Sequence, residues 1–353
     1  MEGDGKKSIR LLLEPARSLL LIGIVVLCCV PLIIQSATWL QVMILVLWYA
    51  CLTLSWNFVG GFAGVLPLGH AAFAGIGAYT STILFINWGI TPWLGMLVGG
   101  AFAVAVALLI GYPTFRLHGA YYALASIAFV EVVRMVTENT NSIFGIEVRG
   151  ARGLLLPLKG HSPLYFQFAN KTHYYYIALA MMFLIFFVSY KIQRSKLGFY
   201  LVAGGEDQEA AESIGINVPK YKLIALAISA FFTALAGTFY AQLVLFIFPQ
   251  GIMSLNLSFE IAFIAIIGGR GTLLGPILGS FVLVPLSEAC RIYLSGSRFL
   301  GIHLMLYSVV IILAMIFQPR GLMGLLEKVY LRWRKTSAQS STHSEKGETH
   351  ELA

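Results

Sequence analysis

Along this chain, long apolar runs alternate with short polar clusters. The runs occupy 18–34, 39–58, 66–86, 93–111, 119–137, 174–190, 223–247, 258–268, 273–290 and 302–318. A helix that crosses a bilayer needs about 20 mostly apolar residues, so most runs can span and the loops between them are short. The pattern predicts an all-α, polytopic helical membrane protein of about 8–10 spans, some of them broken or half-length. Residues 18–318 form the transmembrane domain, between an N-terminal segment, 1–17, and a tail, 319–353, whose Ser/Thr/Glu/His-rich end is expected to be disordered. Lys6, Lys7, Arg10 and Arg17 ahead of the first run have the form of a signal peptide start. Ile34-Gln-Ser-Ala37 is a poor cleavage site, however, and the run reads as a retained first helix.

Two runs carry interruptions. Residues 258–268 are only eleven, about 16 Å of helix at about 1.5 Å per residue, which is half of a core about 30 Å thick. Gly268-Gly-Arg-Gly-Thr272 follows, then Gly275-Pro276 and Gly279. An earlier stretch holds Gly60, Gly61, Gly64, Pro67, Gly69, Gly75 and Gly77. Backbone groups freed by Gly and Pro are tolerated at membrane depth only against protein or a water-lined cavity. A pair of interrupted segments in the two halves of a chain points to a midplane pathway. Close helix packing through small residues is the competing reading.

Charge sets the orientation. Ten segments put both termini on one side, and 17 of the 24 Lys and Arg then fall on that side against 7 on the other. Cytoplasmic loops collect Lys and Arg, so both termini are read as cytoplasmic. The net charge of +8 is thereby explained by topology. No loop interleaves Lys or Arg with exposed aromatics, so membrane lipid, and not nucleic acid, is the expected surrounding. Composition agrees: 58% hydrophobic and 11% charged excludes an ordinary soluble domain, which runs about 25% charged.

Candidate chemistry is sparse. Cys28, Cys29, Cys51 and Cys290 lie in apolar runs without metal-ligand spacing and read as small buried hydrophobes. Both aspartates, Asp4 and Asp207, are cytoplasmic, and only Glu131, Glu260 and Glu288 fall in or at the ends of spans. No metal site, no paired catalytic carboxylates and no phosphate-binding Gly-x-x-x-x-Gly-Lys loop can be found, so ATP-driven work would need an engine on another chain. Glu131 and Arg134 stand three residues apart, on one helix face, and can pair.

The soluble character is concentrated in an outer loop, 138–173, and an inner loop, 191–222. The inner loop holds Gly204-Gly-Glu-Asp-Gln-Glu-Ala-Ala-Glu-Ser-Ile-Gly215. Helix formers over 206–214, with acids at the positive end of the dipole and Gly215 as a stop, predict a cytoplasmic helix of about two turns. Ala210 and Ala211 leave a small face that another protein can approach closely; an ordinary amphipathic loop helix is the alternative.

At this string the sequence resembles the permease subunits of bacterial ABC importers, whose cytoplasmic loop carries an EAA-x-x-x-G pattern. Glu209-Ala-Ala211 followed by Gly215 has that spacing; the Ile-x-Leu-Pro that usually follows is absent, and Pro219 sits elsewhere. More of the chain is similar to the branched-chain amino acid permeases of the LivM type. The matching strings are Gly69-His-Ala-Ala-Phe-Ala-Gly-Ile-Gly-Ala-Tyr79, Tyr122-Ala-Leu-Ala-Ser-Ile-Ala-Phe-Val-Glu-Val-Val-Arg134, Arg194-Ser-Lys-Leu-Gly198, Ala211-Glu-Ser-Ile-Gly-Ile-Asn217, Gly268-Gly-Arg-Gly-Thr-Leu-Leu-Gly-Pro276 and Pro319-Arg-Gly-Leu322. They run in order from about 60 to 325. Gly204-Gly205 and Arg149-Gly-Ala-Arg-Gly153 depart from the family's usual helical and Thr-Gly-Gly-rich stretches at those places.

The resemblance implies a four-part importer in the bacterial inner membrane: this chain, a second, LivH-like permease, two cytoplasmic ABC ATPases, and a periplasmic or lipid-anchored substrate-binding protein. It implies translocation of branched-chain or related amino acids, with ATP on the partner subunits, no cofactor on this chain and no bond chemistry of its own. Urea and short-amide permeases belong to the same family. On this reading Glu209, Ala210, Ala211, Glu212 and Gly215 couple to the ATPase. Gly69, His70, Gly268, Gly269, Gly271, Gly275 and Pro276 line the translocation pathway, with Glu131 and Arg134 as a structural pair or as lining. His70 is either a polar pathway group or a packed imidazole bonded to freed carbonyls. The residues alone leave an ion-coupled secondary transporter of small solutes open as the alternative.

Overall fold

The computed structural model describes residues 27–32, 36–117, 119–143, 146–160, 162–294, 308, 309, 312, 316 and 321–324. The expected spans 18–34 and 302–318 lie outside the described residues except at these positions, as do residues 1–17 and most of the tail. Eleven α-helices are described here: α1 Ala37–Asn57, α2 His70–Trp88, α3 Pro92–Thr114, α4 Ala120–Asn139, α5 Lys171–Gln193, α6 Lys196–Glu206, α7 Gln208–Ser213, α8 Val218–Val244, α9 Pro249–Ile252, α10 Leu255–Gly269 and α11 Gly275–Leu294. Four two-residue strands complete it: β1 Ser142–Ile143, β2 Ile146–Glu147, β3 Leu154–Leu155 and β4 Phe246–Ile247. Among the described residues seven helical stretches are long and apolar enough to cross a membrane. Helix α2 is not one of the seven; most of it, from His70 to Tyr79, is buried, while its end at Asn87 and Trp88 is exposed. The all-α polytopic expectation holds.

Local chemistry sets the helix ends. Asn170, Ser195, Asp207, Asn217 and Ser254 each cap a helix by accepting a backbone N–H in its first turn. Pro92 opens α3 with its φ already helical. Gly89, at φ 65°, closes α2 in the left-handed conformation that glycine adopts at least cost.

Helix α1 runs through the middle of the bundle. With its continuation to Phe62 it is 83% buried over its most apolar stretch, whereas α4 is 17% buried. Close approach is built from small residues. A Cβ on Gly77 would run into the backbone of Ala234 on α8, and one on Gly237 into that of Ala74 on α2. The hydroxyl of Thr238 donates to the Gly77 carbonyl at 3.0 Å. In lipid, helices gain little from apolar burial against one another, so this backbone contact and its hydrogen bond hold the pair.

The two ends of the bundle differ. At one end, Gly64 packs on Gly205 of α6, and Gly204 packs on Val218 at the start of α8. At the other, β3 pairs with β4 in the register Leu154 to Ile247 and Leu155 to Phe246. There Trp93 Nε1 donates to the Pro163 carbonyl at 2.9 Å, and the Tyr174 hydroxyl lies between the carbonyls of Phe166, at 3.2 Å, and Gln242, at 3.4 Å.

Two boundaries correct the sequence reading. The run 66–86 becomes helical only at His70, because residues 63–69 leave the helix. The run 258–268 is not a half-helix: α10 covers fifteen residues, and with α9 ahead of it the stretch Pro249–Gly269 is long enough to span. Polar Ser254 and Asn256 interrupt the apolar pattern over its first turn.

Candidate functional site

The first interruption begins where α1 widens into a π-helical turn, Phe58–Phe62. Such turns often mark functional positions. The Gly60-Gly61 pair permits this one: a Cβ on Gly60 would strike the Trp56 indole, and one on Gly61 would strike Asn57 Oδ1. Irregular chain then leads to Gly69, the residue before α2. Its buried polar groups find side-chain partners, as membrane depth requires. Trp56 Nε1 donates to the Pro67 carbonyl at 2.8 Å. Ser126 Oγ accepts from Leu68 N–H at 2.9 Å, and Ser258 Oγ accepts from Ala71 N–H at 3.1 Å.

The second interruption joins α10 to α11. Gly269, at φ 126°, and Gly271, at φ 76°, turn the chain in conformations that side chains rarely adopt. Thr272 Oγ1 donates to the Gly269 carbonyl at 2.7 Å and accepts from Gly275 N–H at 3.0 Å. Gly268 faces the Gly275 carbonyl with no room for a Cβ. The Pro276 carbonyl receives the hydroxyl of Ser280 at 2.9 Å, and Thr53, whose own hydroxyl donates to the Tyr49 carbonyl at 2.8 Å, lies alongside.

The structure brings these two interruptions together through a residue that the sequence reading missed. Asn57 Oδ1 accepts from Gly271 N–H at 2.9 Å, and Asn57 Nδ2 donates to the Thr272 carbonyl at 2.9 Å. Backbone donor and acceptor fix the amide's orientation without ambiguity. A cavity of about 390 Å³ opens beside this contact, lined by Gly61, Gly64, Gly205, Glu206 and Arg270 among others. The signal available in the sequence was a carboxamide near the end of an apolar run that holds one other, Gln41; such groups are costly in a membrane unless they are used.

The inner loop forms two helices. The predicted helix over 206–214 is shorter, Gln208–Ser213, because Asp207 turns away to cap it, accepting from Ala210 N–H at 3.0 Å. Gly215 sits at φ 89°, in keeping with the expected stop. Glu209, Ala210, Glu212 and Ser213 are exposed, and Ile214 is 77% exposed. Ala211 is buried against its own chain, so the two alanines do not share one outer face. Behind α7, the buried Lys222 donates from Nζ to Gln208 Oε1 at 2.8 Å and holds the helix to α8.

His70 begins α2 and is buried. Ser229 Oγ gives its proton to the Ser55 carbonyl at 2.6 Å, so the 2.7 Å contact between Ser229 Oγ and His70 Nε2 requires Nε2–H as donor. That assigns the tautomer and leaves Nδ1 as an acceptor without a protein partner. The adjoining cavity, with Gly69, Phe73, Tyr122 and Ser126 in its wall, measures about 30 Å³, room enough for water beside Nδ1. The imidazole is packed, but against a serine and not a freed carbonyl. Gly69 is equally enclosed: a Cβ there would press on the Ser126 carbonyl.

Glu131 and Arg134 do pair, at 2.5 Å, and Glu138 joins them at 2.8 Å from Arg134 Nη1. The span drawn at 119–137 stopped one residue short of Glu138. Two carboxylates share one guanidinium on the most exposed of the seven spans, beside apolar Val132, Met135 and Val136. This group lies apart from the Asn57 contact and from α7.

The family model described as "Branched-chain amino acid transport system / permease component" matches residues 38–317. The chain belongs to this family. The permease is similar to the High-affinity branched-chain amino acid transport system permease protein LivM of Escherichia coli K12, 32% identical over 293 residues that cover 78% of this chain and 67% of that one. Its counterpart in Salmonella typhimurium is 31% identical over 300 residues, with the same shares. A Probable branched-chain amino acid transport permease protein LivM of Methanocaldococcus jannaschii is 23% identical over 238 residues, 65% of each chain. No solved structure matches the permease.

Proposed function

We propose that this permease passes branched-chain or related apolar amino acids across a bacterial inner membrane, as one of two permeases in an ABC importer driven by two cytoplasmic ATPases. A substrate-binding protein, periplasmic or lipid-anchored, delivers the amino acid at the β3–β4 end. The observation that carries this reading is the placement of α7: its exposed Glu209, Ala210 and Ile214 face outward at the end where both helix interruptions meet. An ATPase docked there stands next to the irregular backbone that a pathway needs. Both termini are assigned to the cytoplasmic side on the distribution of Lys and Arg along the sequence.

The exposed face of α4 supports a second permease. Arg134 with its two carboxylates is too polar for lipid, and a protein neighbour or the pathway between two permeases suits it. Gly268, Gly269, Gly271, Gly275 and Pro276 then belong to the hinge of the inner gate, with Gly69 and His70 behind it.

The test is reconstitution with the ATPases and the binding protein, followed by uptake of labelled L-leucine into proteoliposomes. Uptake should require internal-side ATP and survive ionophores that collapse ion gradients. Uptake that stops with the gradient and ignores ATP overturns the proposal in favour of an ion-coupled transporter.

A further inference from the structure

Nothing in a polytopic bundle requires its two helix interruptions to touch, yet here one side chain bonds both ways across them. Asn57 is fully buried and stands at the last α-helical position before the π turn. Its amide spends both functions on the loop between α10 and α11: acceptor to Gly271 N–H, donor to the Thr272 carbonyl. The surroundings are shaped around that amide. Gly61 lies against Asn57 Oδ1, and a Cβ on Gly61 would also come within 2.6 Å of Gly271 N. Gly271 in turn stands 3.3 Å from the Gly61 carbonyl by the same measure. Three residues further along, Gly64 meets the backbone of Gly205, two residues before the cap of α7. A continuous line of backbone contact thus runs from α7 through Gly205 and Gly64 to the π turn, and through Asn57 to the loop 270–274.

We infer that Asn57 is the positioning residue that makes the two interruptions move as one body, so that displacement of the α6–α7 segment reaches the α10–α11 loop as well as the π turn. This rests on the proposed function, since α7 is displaced by an ATPase only in that reading. Packed contacts and hydrogen bonds between elements with two discrete arrangements are the physical carriers of such coupling. Small residues at each contact suit the role: they let backbone press on backbone, with no flexible side chain to absorb the shift. Glu206 and Arg270 both line the cavity beside this contact.

The experiment uses the reconstituted importer and two readouts. Hydrogen–deuterium exchange on adding ATP is compared for peptides covering 58–64 and 268–274. In the native protein both should change protection. In Asn57→Ala the 58–64 response should persist and the 268–274 response should vanish, while L-leucine transported per ATP hydrolysed falls about tenfold, the scale on which coupling residues act. Asn57→Asp keeps the acceptor for Gly271 N–H and loses the donor to Thr272; it should fall between the two and serves if the alanine variant does not fold. Gly61→Ala should reproduce Asn57→Ala, and the double variant should be no worse than either. Retained joint protection in the Asn57 variants, equal loss of ATP turnover and uptake, or additive losses in the double variant would overturn the inference. If the native importer shows no exchange response to ATP at all, the proposed function fails instead.

Discussion

Replacing Trp56 by Phe tests how the irregular stretch 63–69 is tolerated inside the bundle. The indole is fully buried, and its N–H bonds the Pro67 carbonyl at 2.8 Å. Phenylalanine cannot donate, so a buried carbonyl outside any helix loses the donor that satisfies it; that costs about 1–3 kcal/mol. The ring is also smaller by about 40 Å³, and at about 24 cal/mol per Å³ of residual cavity this adds about 1 kcal/mol. The sum is about 2–4 kcal/mol. Trp48 supplies the internal comparison: it donates to the Ala236 carbonyl at 2.8 Å, but that acceptor lies inside α8, where it also accepts from the helix backbone. Trp48→Phe should therefore cost about 1–2 kcal/mol, mostly from the ring, since an interhelical bond in a membrane averages about 0.6 kcal/mol. The assay is unfolding of the purified permease in mixed micelles by titration with sodium dodecyl sulfate, followed by far-ultraviolet circular dichroism. A Trp56→Phe variant no less stable than Trp48→Phe refutes the claim that side chains satisfy this backbone. Pro67→Ala keeps the acceptor and should leave most of the stability in place.

Ala210→Arg should remove ATPase association in a pull-down and leave the melting temperature of the permease unchanged, because Ala210 is exposed; Ala211→Arg should lower the melting temperature, because Ala211 is buried. Arg134→Gln should destabilise by about 1–3 kcal/mol and cost more than Glu131→Gln, since it strands two carboxylates and the latter leaves the Glu138 pair intact; equal losses in the micelle titration would argue against the three-residue group. Gly237→Val should push α8 from α2 and cost at least about 1–3 kcal/mol by overpacking, visible in the same titration; a neutral effect would mean that the helices can separate freely.

The span pattern, the two interruptions and the short inner helix were all legible in the sequence, because each rests on local chemistry: apolar length, Gly and Pro, an acid-led helix ending at Gly215. What pairs with what was not. Asn57 is one of several polar residues in its apolar run, with Gln41, Thr53 and Ser55, and only the fold sets it opposite Gly271 and Thr272, more than 200 positions away. Ala210 and Ala211 looked equivalent because a six-residue helix gives no face until its neighbours are known. Glu138 was lost because the apolar run ends at Val136-Thr137, one residue before an acid that the arginine one turn back neutralises. The start of α10 failed for a related reason: Ser254 caps, and Ser258 bonds Ala71 N–H, so polar residues there belong to the span.

The pairing of β3 with β4 has a mechanical consequence. Together with the Tyr174–Gln242 contact it pins the entry of α5 and the exit of α8 at one point, while α6 and α7 hang between the same two helices at the far end. The unit has the form of a tuning fork, with its stem at the strand pair and the inner loop across its tips. A force applied at the tips would displace the stem least, since the stem is the cross-linked end. If the inner loop is displaced as proposed, the outer loop, which carries the stem, would move least, and whatever rests on that loop would meet much the same surface.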